Sequence, residues 1–206
     1  MTLPDAAFMQ RAAGIRLLVL DVDGVMTDGR LHYDAEGREF KSFHVRDGYG
    51  IRRLMASGII VAVISGRQSG AAAGRMADLG IRHAMLGRGD KAAALAELLA
   101  ATGIAASAAA CMGDDEPDLP VMQQVALPIA VADCHPSVSA AACWHTTLPG
   151  GAGAVRDLVG KLLILRLTTR GLCRPRLRSA GTAVISIRIS STMRWRRRGG
   201  ERGMEG

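Results

Sequence analysis

Short apolar runs with the length of buried strands alternate with helix-like segments along most of this chain. Strands that alternate with helices imply right-handed crossovers, a mainly parallel sheet and helices on both of its faces. The sequence therefore predicts an α/β, doubly wound fold. Strands are predicted over residues 17–23, 59–66, 81–86, 108–115 and 127–133. Helices are predicted over residues 48–58, 67–80, 89–103, 116–125, 135–144 and 153–165, with Asp90 as an N-cap.

Residues 29–45 interrupt this alternation. Two segments of alternating polarity flank the turn-forming residues DAEG at 34–37, which predicts a β-hairpin inserted after the first strand. A two-stranded ribbon is marginally stable alone, so this hairpin is expected to contact a partner.

The distribution of charge divides the chain near residue 165. Residues 166–206 hold 11 Arg and 2 Glu, whereas residues 1–165 hold the other 15 basic residues and 17 acidic ones. With 206 residues, 49% of them hydrophobic, the chain can bury one sizeable core. We therefore predict one domain over 1–165 and an Arg-rich tail over 166–206.

Three interpretations of the tail stay open. Arg clusters bind phosphates through bidentate contacts and counterion release, so the tail could be an arm for nucleic acid or acidic lipid. It could be a disordered, solvated extension. It could also be out of frame with the ancestral gene, since an accidental frame in a GC-rich gene encodes mostly Arg, Gly, Ala and Ser. We favour the third over the first, so the tail is expected to be disordered or out of frame, and we do not expect nucleic acid as a partner of the body.

No targeting or membrane-spanning segment is expected from the sequence. Residues 1–14 lack a basic segment followed by an apolar one, and no apolar run approaches the ~20 residues of a membrane span. The cysteines are scattered and form no CxxC pair, which favours free thiols in a reducing compartment. The sequence predicts a cytoplasmic protein.

Acidic or hydroxyl side chains follow three of the predicted strands at the point where each strand ends. Asp21 and Asp23 end the first strand, Ser65 follows the second, and Asp114 and Asp115 end a later one. A single such pair is weak evidence, because acids often cap strand ends and helix starts. However, ligands of open α/β sheets bind outside the carboxyl ends of the strands, so convergence there predicts a site.

Four ordered motifs resemble those of the haloacid dehalogenase superfamily of aspartate-nucleophile phosphatases. They are DVDGV at 21–25, SGR at 65–67, Lys91 and GDDEPD at 113–118. More narrowly, the segments LDVDGVMTDG, FHVRDGYGIRRL, VISGR, MGDDEPDLPVM and VADCHP resemble the 3-deoxy-D-manno-octulosonate 8-phosphate phosphatases of bacterial lipopolysaccharide synthesis. The resemblance covers about residues 10–165 and implies a Rossmann-like core, here without a separate cap domain.

The resemblance implies a role for each motif residue. Asp21 would be the nucleophile that forms an aspartyl-phosphate, and Asp23 would protonate the leaving oxygen and later activate water. Ser65 and Lys91 would contact the phosphoryl oxygens. Mg²⁺ favours oxygen ligands, and the expected ligands are the carboxylates of Asp21 and Asp114 and the backbone carbonyl of Asp23, held from a second layer by Asp115 or Asp118.

The expected substrate is a sugar acid phosphate, whose added carboxylate calls for cationic contacts. The family pattern places substrate binding at Asp23, His44, Val45, Arg46, Asp47, Gly48, Arg52, Arg67, Arg75 and Lys91. His44 stands where the family often has Asn, which leaves that contact open. By resemblance, hairpins of neighbouring subunits assemble a homotetramer that closes each site.

Two other functions stay open from the sequence. The nearest is a phosphatase for a related nonulosonate 9-phosphate of the sialic acid type, with identical catalytic residues. The other is a non-enzymatic scaffold or allosteric domain, which the complete set of catalytic residues disfavours.

Overall fold

The computed structural model describes residues 6–169, 176–177 and 183–184 of the chain, with side chains over 8–165. The helices are α1 Ala6–Ala13, α2 Val45–Ala56, α3 Gly70–Leu79, α4 Lys91–Thr102, α5 Leu119–Met122, α6 Pro136–Ala141 and α7 Ala154–Thr169. The first eight strands are β1 Leu17–Leu20, β2 His32–Tyr33, β3 Glu39–Phe40, β4 Ile60–Ile64, β5 His83–Met85, β6 Ala109–Gly113, β7 Leu127–Ala130 and β8 Trp144–His145.

Six strands form one sheet in the order β5, β4, β1, β6, β7, β8, and every neighbouring pair is parallel. From the central strand β1, the chain continues through β4 and β5 to one edge of the sheet. It then returns to β6, beside β1, and continues through β7 and β8 to the other edge. The loops that follow β1 and β6 therefore lie side by side at the centre of the sheet. The predicted doubly wound α/β fold is confirmed, because its helices cover both faces.

The side chains of β1 alternate between two apolar cores, as the twofold period of a strand requires. Leu18 and Leu20 pack with buried residues of α1, α2, α3 and α7. Leu17 and Val19 pack on the other face with buried residues of α4, α5 and α6. All four are buried, which explains why the strand reads as a continuous apolar run.

The predicted hairpin is present between β1 and α2. Strands β2 and β3 pair antiparallel, with His32 opposite Phe40 and Tyr33 opposite Glu39. Asp34 closes the turn by accepting hydrogen bonds from the backbone of Glu36 and Arg38. Within residues 6–169 the chain has no separate domain over the sheet, in line with the predicted absence of a cap.

Some element boundaries differ from the predictions. The helix expected over 135–144 ends at Ala141, and Trp144 instead joins β8 and packs its ring against Phe8, 5.1 Å away. The helix expected over 116–125 is a 3₁₀ turn at Glu116–Asp118 followed by the single turn of α5. Helix α1 was not predicted, although it buries Phe8 against the sheet.

Helix α7 continues through the predicted boundary at residue 165 to Thr169. Beyond it, strands β9 Arg176–Leu177 and β10 Ala183–Val184 pair antiparallel. The rest of the Arg-rich tail, with the prediction that it is disordered or out of frame, lies outside the described residues. Among the described helices, none has the length and apolar character that crossing a membrane requires.

Candidate active site

The chain leaves the sheet directly after β1, and this exit presents two carboxylates. Asp21 is only 7% exposed, and its backbone N–H still donates to Met112 of the neighbouring strand β6, 3.2 Å away. The next turn is held by Thr27, whose hydroxyl accepts from the backbone N–H of Gly24 at 3.4 Å and donates to Val22 at 3.3 Å. Asp21 and Asp23 therefore both reach the carboxyl edge of the sheet, as predicted.

The loop after β6 is packed tightly against this turn. Gly24 has a φ of +89°, and a Cβ on it would lie 2.0 Å from Oδ2 of Asp114. Asp118 belongs to the same loop, and its Oδ2 accepts a 3.0 Å hydrogen bond from the backbone N–H of Asp114. The glycine thus allows the carboxylates of the two loops to approach each other.

Segment 150–155 borders the same turn. The backbone N–H of Gly151 donates to Val25 at 3.1 Å, and a Cβ on Gly150 would lie 1.7 Å from the carbonyl oxygen of Gly24. The GGAGAV segment is therefore a turn that supports the loop after β1 and leads into α7.

Lys91 begins α4 and carries its ammonium into the acidic cluster. Asp90 caps the helix by accepting from the backbone N–H of Ala93 at 2.9 Å. The Lys91 Nζ lies 2.9 Å from Oδ1 of Asp21 and 2.7 Å from Oδ1 of Asp118, and its side chain is 5% exposed. Burial disfavours the ammonium, but the two carboxylates outweigh this and raise the pKa of Lys91.

Carboxylates outnumber this cation. Oxygen atoms of Asp21, Asp114 and Asp118 lie within 4.8 Å of one another. Burial, followed by the charge of Asp118, raises the pKa of Asp21 to about 6. Burial, followed by the charges of Asp21 and Asp118, raises the pKa of Asp114 to about 8. Such crowded oxygen donors fit a hard divalent cation, which would relieve their repulsion.

Ser65 and Arg67 complete the opposite wall at the end of β4. Ser65 is 3% exposed, and its hydroxyl accepts from the backbone N–H of Arg67 at 3.3 Å. A cavity of about 300 Å³ opens between these loops. Its wall consists of Asp21, Asp23, Gly29, Ser65, Gly66, Arg67, Lys91, Asp114, Asp115, Pro117 and Asp118.

The two candidates for the outer layer of a metal site differ in position. Asp118 is 3% exposed and contacts both Lys91 and Asp114. Asp115 is exposed, and its carboxylate accepts from the backbone N–H of Glu116 at 2.8 Å, capping the 3₁₀ turn. Asp118 is thus the acid placed to orient the cluster.

Several predicted substrate-binding residues lie outside the wall of this cavity, namely His44, Val45, Arg46, Asp47, Gly48, Arg52 and Arg75. Asp47 is 2% exposed, and its Oδ1 accepts a 2.7 Å hydrogen bond from the backbone N–H of Arg156, at the start of α7. His44 is the N-cap of α2, and the Arg52 guanidinium donates to the Asp78 carbonyl. Substrate binding by these residues stays a prediction.

The hairpin adds residues that the sequence did not single out. Lys41 Nζ lies 2.5 Å from Oδ1 of Asp23 and 3.1 Å from Oε1 of Glu39. Glu39 also accepts from the Ser69 hydroxyl at 2.6 Å and from the Arg67 guanidinium at 2.9 Å. These donors lower the pKa of Glu39 to about 2, led by the hydrogen bond from Ser69. The alternation of acidic and basic side chains across these contacts depends on how the hairpin packs against the sheet, so the sequence alone did not reveal it.

Comparisons with known proteins agree with this geometry. A family model for haloacid dehalogenase-like hydrolases matches residues 83–153. The 3-deoxy-D-manno-octulosonate 8-phosphate phosphatase of Yersinia pestis is 48% identical over 156 residues, which cover 76% of this chain and 83% of that protein.

Two solved structures are similar over most of their length. The crystal structure of the Yersinia pestis phosphatase has a TM-score of 0.78 at 43% identity, covering 87% of this chain and 93% of that one. The corresponding phosphatase of Moraxella catarrhalis, in complex with magnesium ion, phosphate ion and the sugar acid KDO, has a TM-score of 0.76 at 38% identity. That match covers 80% of this chain and 94% of the other.

Proposed function

Because this chain belongs to the 3-deoxy-D-manno-octulosonate 8-phosphate phosphatases, a family of haloacid dehalogenase-like hydrolases, we propose that it hydrolyses that sugar acid phosphate to the free sugar acid and phosphate. The observation that carries the proposal is the convergence of Asp21, Asp23, Ser65, Lys91 and Asp114 around one cavity. This placement brings a nucleophile, an acid and cationic contacts to one phosphoryl group.

The reaction proceeds in two displacements. A carboxylate oxygen of Asp21 attacks phosphorus, the bond to the sugar oxygen breaks, and that oxygen takes a proton from the carboxyl group of Asp23. Water then attacks the aspartyl-phosphate and gives its proton to the Asp23 carboxylate. The second bond cleavage releases phosphate and restores the Asp21 carboxylate.

The hydroxyl of Ser65 and the ammonium of Lys91 bind the phosphoryl oxygens in this proposal. Lys91 is already held by Asp21 and Asp118, so its charge is in place before the substrate arrives. Ser65 is fixed by its contact with the backbone of Arg67. Both groups stabilise charge on the phosphoryl group without having to reorganise.

Mg²⁺ is the proposed cofactor. The carboxylates of Asp21 and Asp114 and the backbone carbonyl of Asp23 would hold it, with Asp118 orienting Asp114 from behind. The ion would supply positive charge to the phosphoryl oxygens. The complex of the Moraxella catarrhalis relative with magnesium and phosphate supports this choice.

A second copy of the chain is the proposed partner, in a homotetramer. Apolar side chains lie exposed on the hairpin, where Leu31, Tyr33 and Phe40 are 48%, 54% and 53% exposed. Val45, at the start of α2, is 80% exposed. Contacts between hairpins would cover this surface and bring the predicted substrate-binding residues of α2 near a cavity. A monomer with full turnover, measured by light scattering and phosphate release, contradicts the tetramer.

The catalytic unit is proposed to lie in residues 1–165, which contain every residue of the cavity wall. The proposed setting is lipopolysaccharide synthesis, from the substrate of the relatives, in the cytoplasm, where free thiols such as those of Cys111 and Cys134 persist. Resequencing the gene tests the tail: a single-base shift near the codon for Leu165 supports a changed frame, and an intact frame contradicts it.

The decisive experiment measures phosphate release from 3-deoxy-D-manno-octulosonate 8-phosphate, a nonulosonate 9-phosphate and a hexose phosphate, with Mg²⁺ and with excess EDTA. We expect metal-dependent preference for the first substrate. Preference for the nonulosonate keeps the chemistry and replaces the substrate. Absence of turnover with all three contradicts the enzymatic function and favours a scaffold role.

A further inference from the structure

The side chain of Lys41 is buried between two acids at the edge of the cavity. It is only 1% exposed, and its ammonium contacts Oδ1 of Asp23 at 2.5 Å and Oε1 of Glu39 at 3.1 Å. A buried lysine is costly unless paired, and here both partners are carboxylates. Lys41 directly follows β3, so the hairpin carries this charge to Asp23.

The two oxygens of Asp23 have different surroundings. Oδ1 accepts from Lys41, whereas Oδ2 is buried and has no hydrogen-bond partner among the described residues. Nε of Arg67 lies 3.9 Å from Oδ2, which is beyond hydrogen-bonding distance. Asp23 lines the cavity, and Oδ2 is its oxygen that no described residue holds in a hydrogen bond.

We propose that Lys41 is a positioning residue for proton transfer, which anchors Oδ1 of Asp23 and leaves Oδ2 to serve the leaving oxygen and then the attacking water. This inference rests on the proposed phosphatase function. When the phosphorus–oxygen bond breaks, the proton on Oδ2 passes to the leaving oxygen and produces the alcohol. In the second displacement Oδ2 takes the proton back from water, so Asp23 ends the cycle as it began.

Glu39 holds Lys41 in place. Its Oε1 accepts from both Lys41 and Ser69, and its Oε2 accepts from Arg67. Ser69 is the N-cap of α3, so this network connects the hairpin to a fixed helix end. Glu39 binds the guanidinium of Arg67 through Nη2, while Nε of the same group stays 3.9 Å from Oδ2 of Asp23. The anchor therefore depends on the hairpin being closed against the sheet.

The dependence of turnover on the leaving group of the substrate distinguishes a role of Lys41 in proton transfer from a purely structural role. An aryl phosphate with a weakly basic leaving group needs little protonation, whereas phenyl phosphate and alkyl phosphates depend on the acid. Turnover of p-nitrophenyl, phenyl and sugar acid phosphates is therefore measured for the wild type, Lys41→Met and Lys41→Arg in the presence of Mg²⁺. Melting temperatures confirm that each variant is folded.

We expect Lys41→Met to lower kcat for phenyl phosphate and the sugar acid phosphate by about 10²-fold, with a loss of less than about threefold for p-nitrophenyl phosphate and little change in KM. Lys41→Arg should recover part of this loss. The matched control is Arg38→Met, which removes from the same hairpin an exposed cation whose ion pairs within the described part of the chain are with Asp34 and Glu36. It should leave all three rates unchanged.

Equal losses for every leaving group, or no loss for any, overturn the proposal. If Lys41→Met does not fold, Glu39→Gln removes the negative charge of the second partner of Lys41, and the same dependence on leaving group is required of it. A wild type that hydrolyses the aryl phosphates but not the sugar acid phosphate removes the proposed substrate and leaves the Lys41 test intact. A wild type that hydrolyses none contradicts the phosphatase function and this role with it.

Discussion

Asp118 binds Lys91 through a 2.7 Å hydrogen bond from Nζ to Oδ1, and both side chains are almost fully buried. Its other oxygen accepts from the backbone N–H of Asp114 at 3.0 Å. One carboxylate therefore fixes both the proposed phosphoryl-binding cation and the loop that bears a proposed metal ligand. This double contact explains why Asp118 is buried while Asp115, in the same loop, is exposed.

The Asp118→Asn variant should bind Mg²⁺ about 10–100-fold more weakly, because residues that orient metal ligands have effects of this size. Activity measured against Mg²⁺ concentration gives the apparent affinity. The matched control is Asp115→Asn, an exposed side chain at the cavity wall that caps the 3₁₀ turn and should change that affinity less than about twofold. Equal effects of the two substitutions would show that Asp118 has no particular role in orienting the metal ligands.

Asp21→Asn should lower phosphate release by about 10³-fold or more, since the amide has nearly the same volume but cannot act as the nucleophile. The fold should persist, because Lys91 keeps Asp118 as a partner, and because the uncharged amide removes both the burial cost and the repulsion from Asp118 that raise the pKa of Asp21. Thermal unfolding at pH 8 should show no loss of stability in the metal-free protein. Near-normal turnover would exclude Asp21 as the nucleophile.

Binding of Mg²⁺ should release protons. With a pKa of about 8, Asp114 is mostly protonated at pH 7 in the metal-free protein, and a metal ion must displace that proton. We expect release of about one proton per ion at pH 7 and little release above pH 9. Calorimetric titrations in two buffers of different ionisation enthalpy measure this number. A value that does not change with pH would contradict the prediction.

The same raised pKa values set the pH dependence of stability. In the unfolded chain Asp114 loses its proton near the ordinary value of 3.8, whereas the folded protein retains it up to about pH 8. The folded state therefore binds more protons between these values, and the free energy of unfolding of the metal-free protein should fall as pH rises from about 4 to about 8. Urea unfolding at several pH values checks this. Saturating Mg²⁺ should abolish the decline.

Asp21, Asp23, Ser65 and Asp114 were predictable because each follows an apolar strand and the parallel sheet brings the strand ends together, whereas Lys91, at the start of α4, was singled out by the order of the motifs. Asp21, Asp23, Ser65, Lys91 and Asp114 accordingly meet at one cavity, as the sequence indicated.

Two kinds of feature were beyond such reasoning. Lys41 contacts Asp23 from the hairpin, and no local periodicity in the sequence indicates so distant a contact. Asp47 belongs to a substrate-binding pattern, yet its carboxylate is directed to the start of α7, which lies 109 residues further along the chain. Helix α1 and strand β8 depend on packing between Phe8 and Trp144, again a tertiary contact.

Gly24→Ala should damage both stability and metal binding. The φ of +89° costs a residue with a Cβ about 1–2 kcal/mol, and the added methyl group would also displace the carboxylate of Asp114. The matched control is Gly74→Ala in α3, where no atom lies within 4 Å of the new methyl group. That change should stabilise the helix by about 0.5–1 kcal/mol. Urea unfolding and Mg²⁺-dependent activity measure both effects, and a Gly24→Ala protein with normal Mg²⁺ affinity would show that the close approach of the two loops is not required.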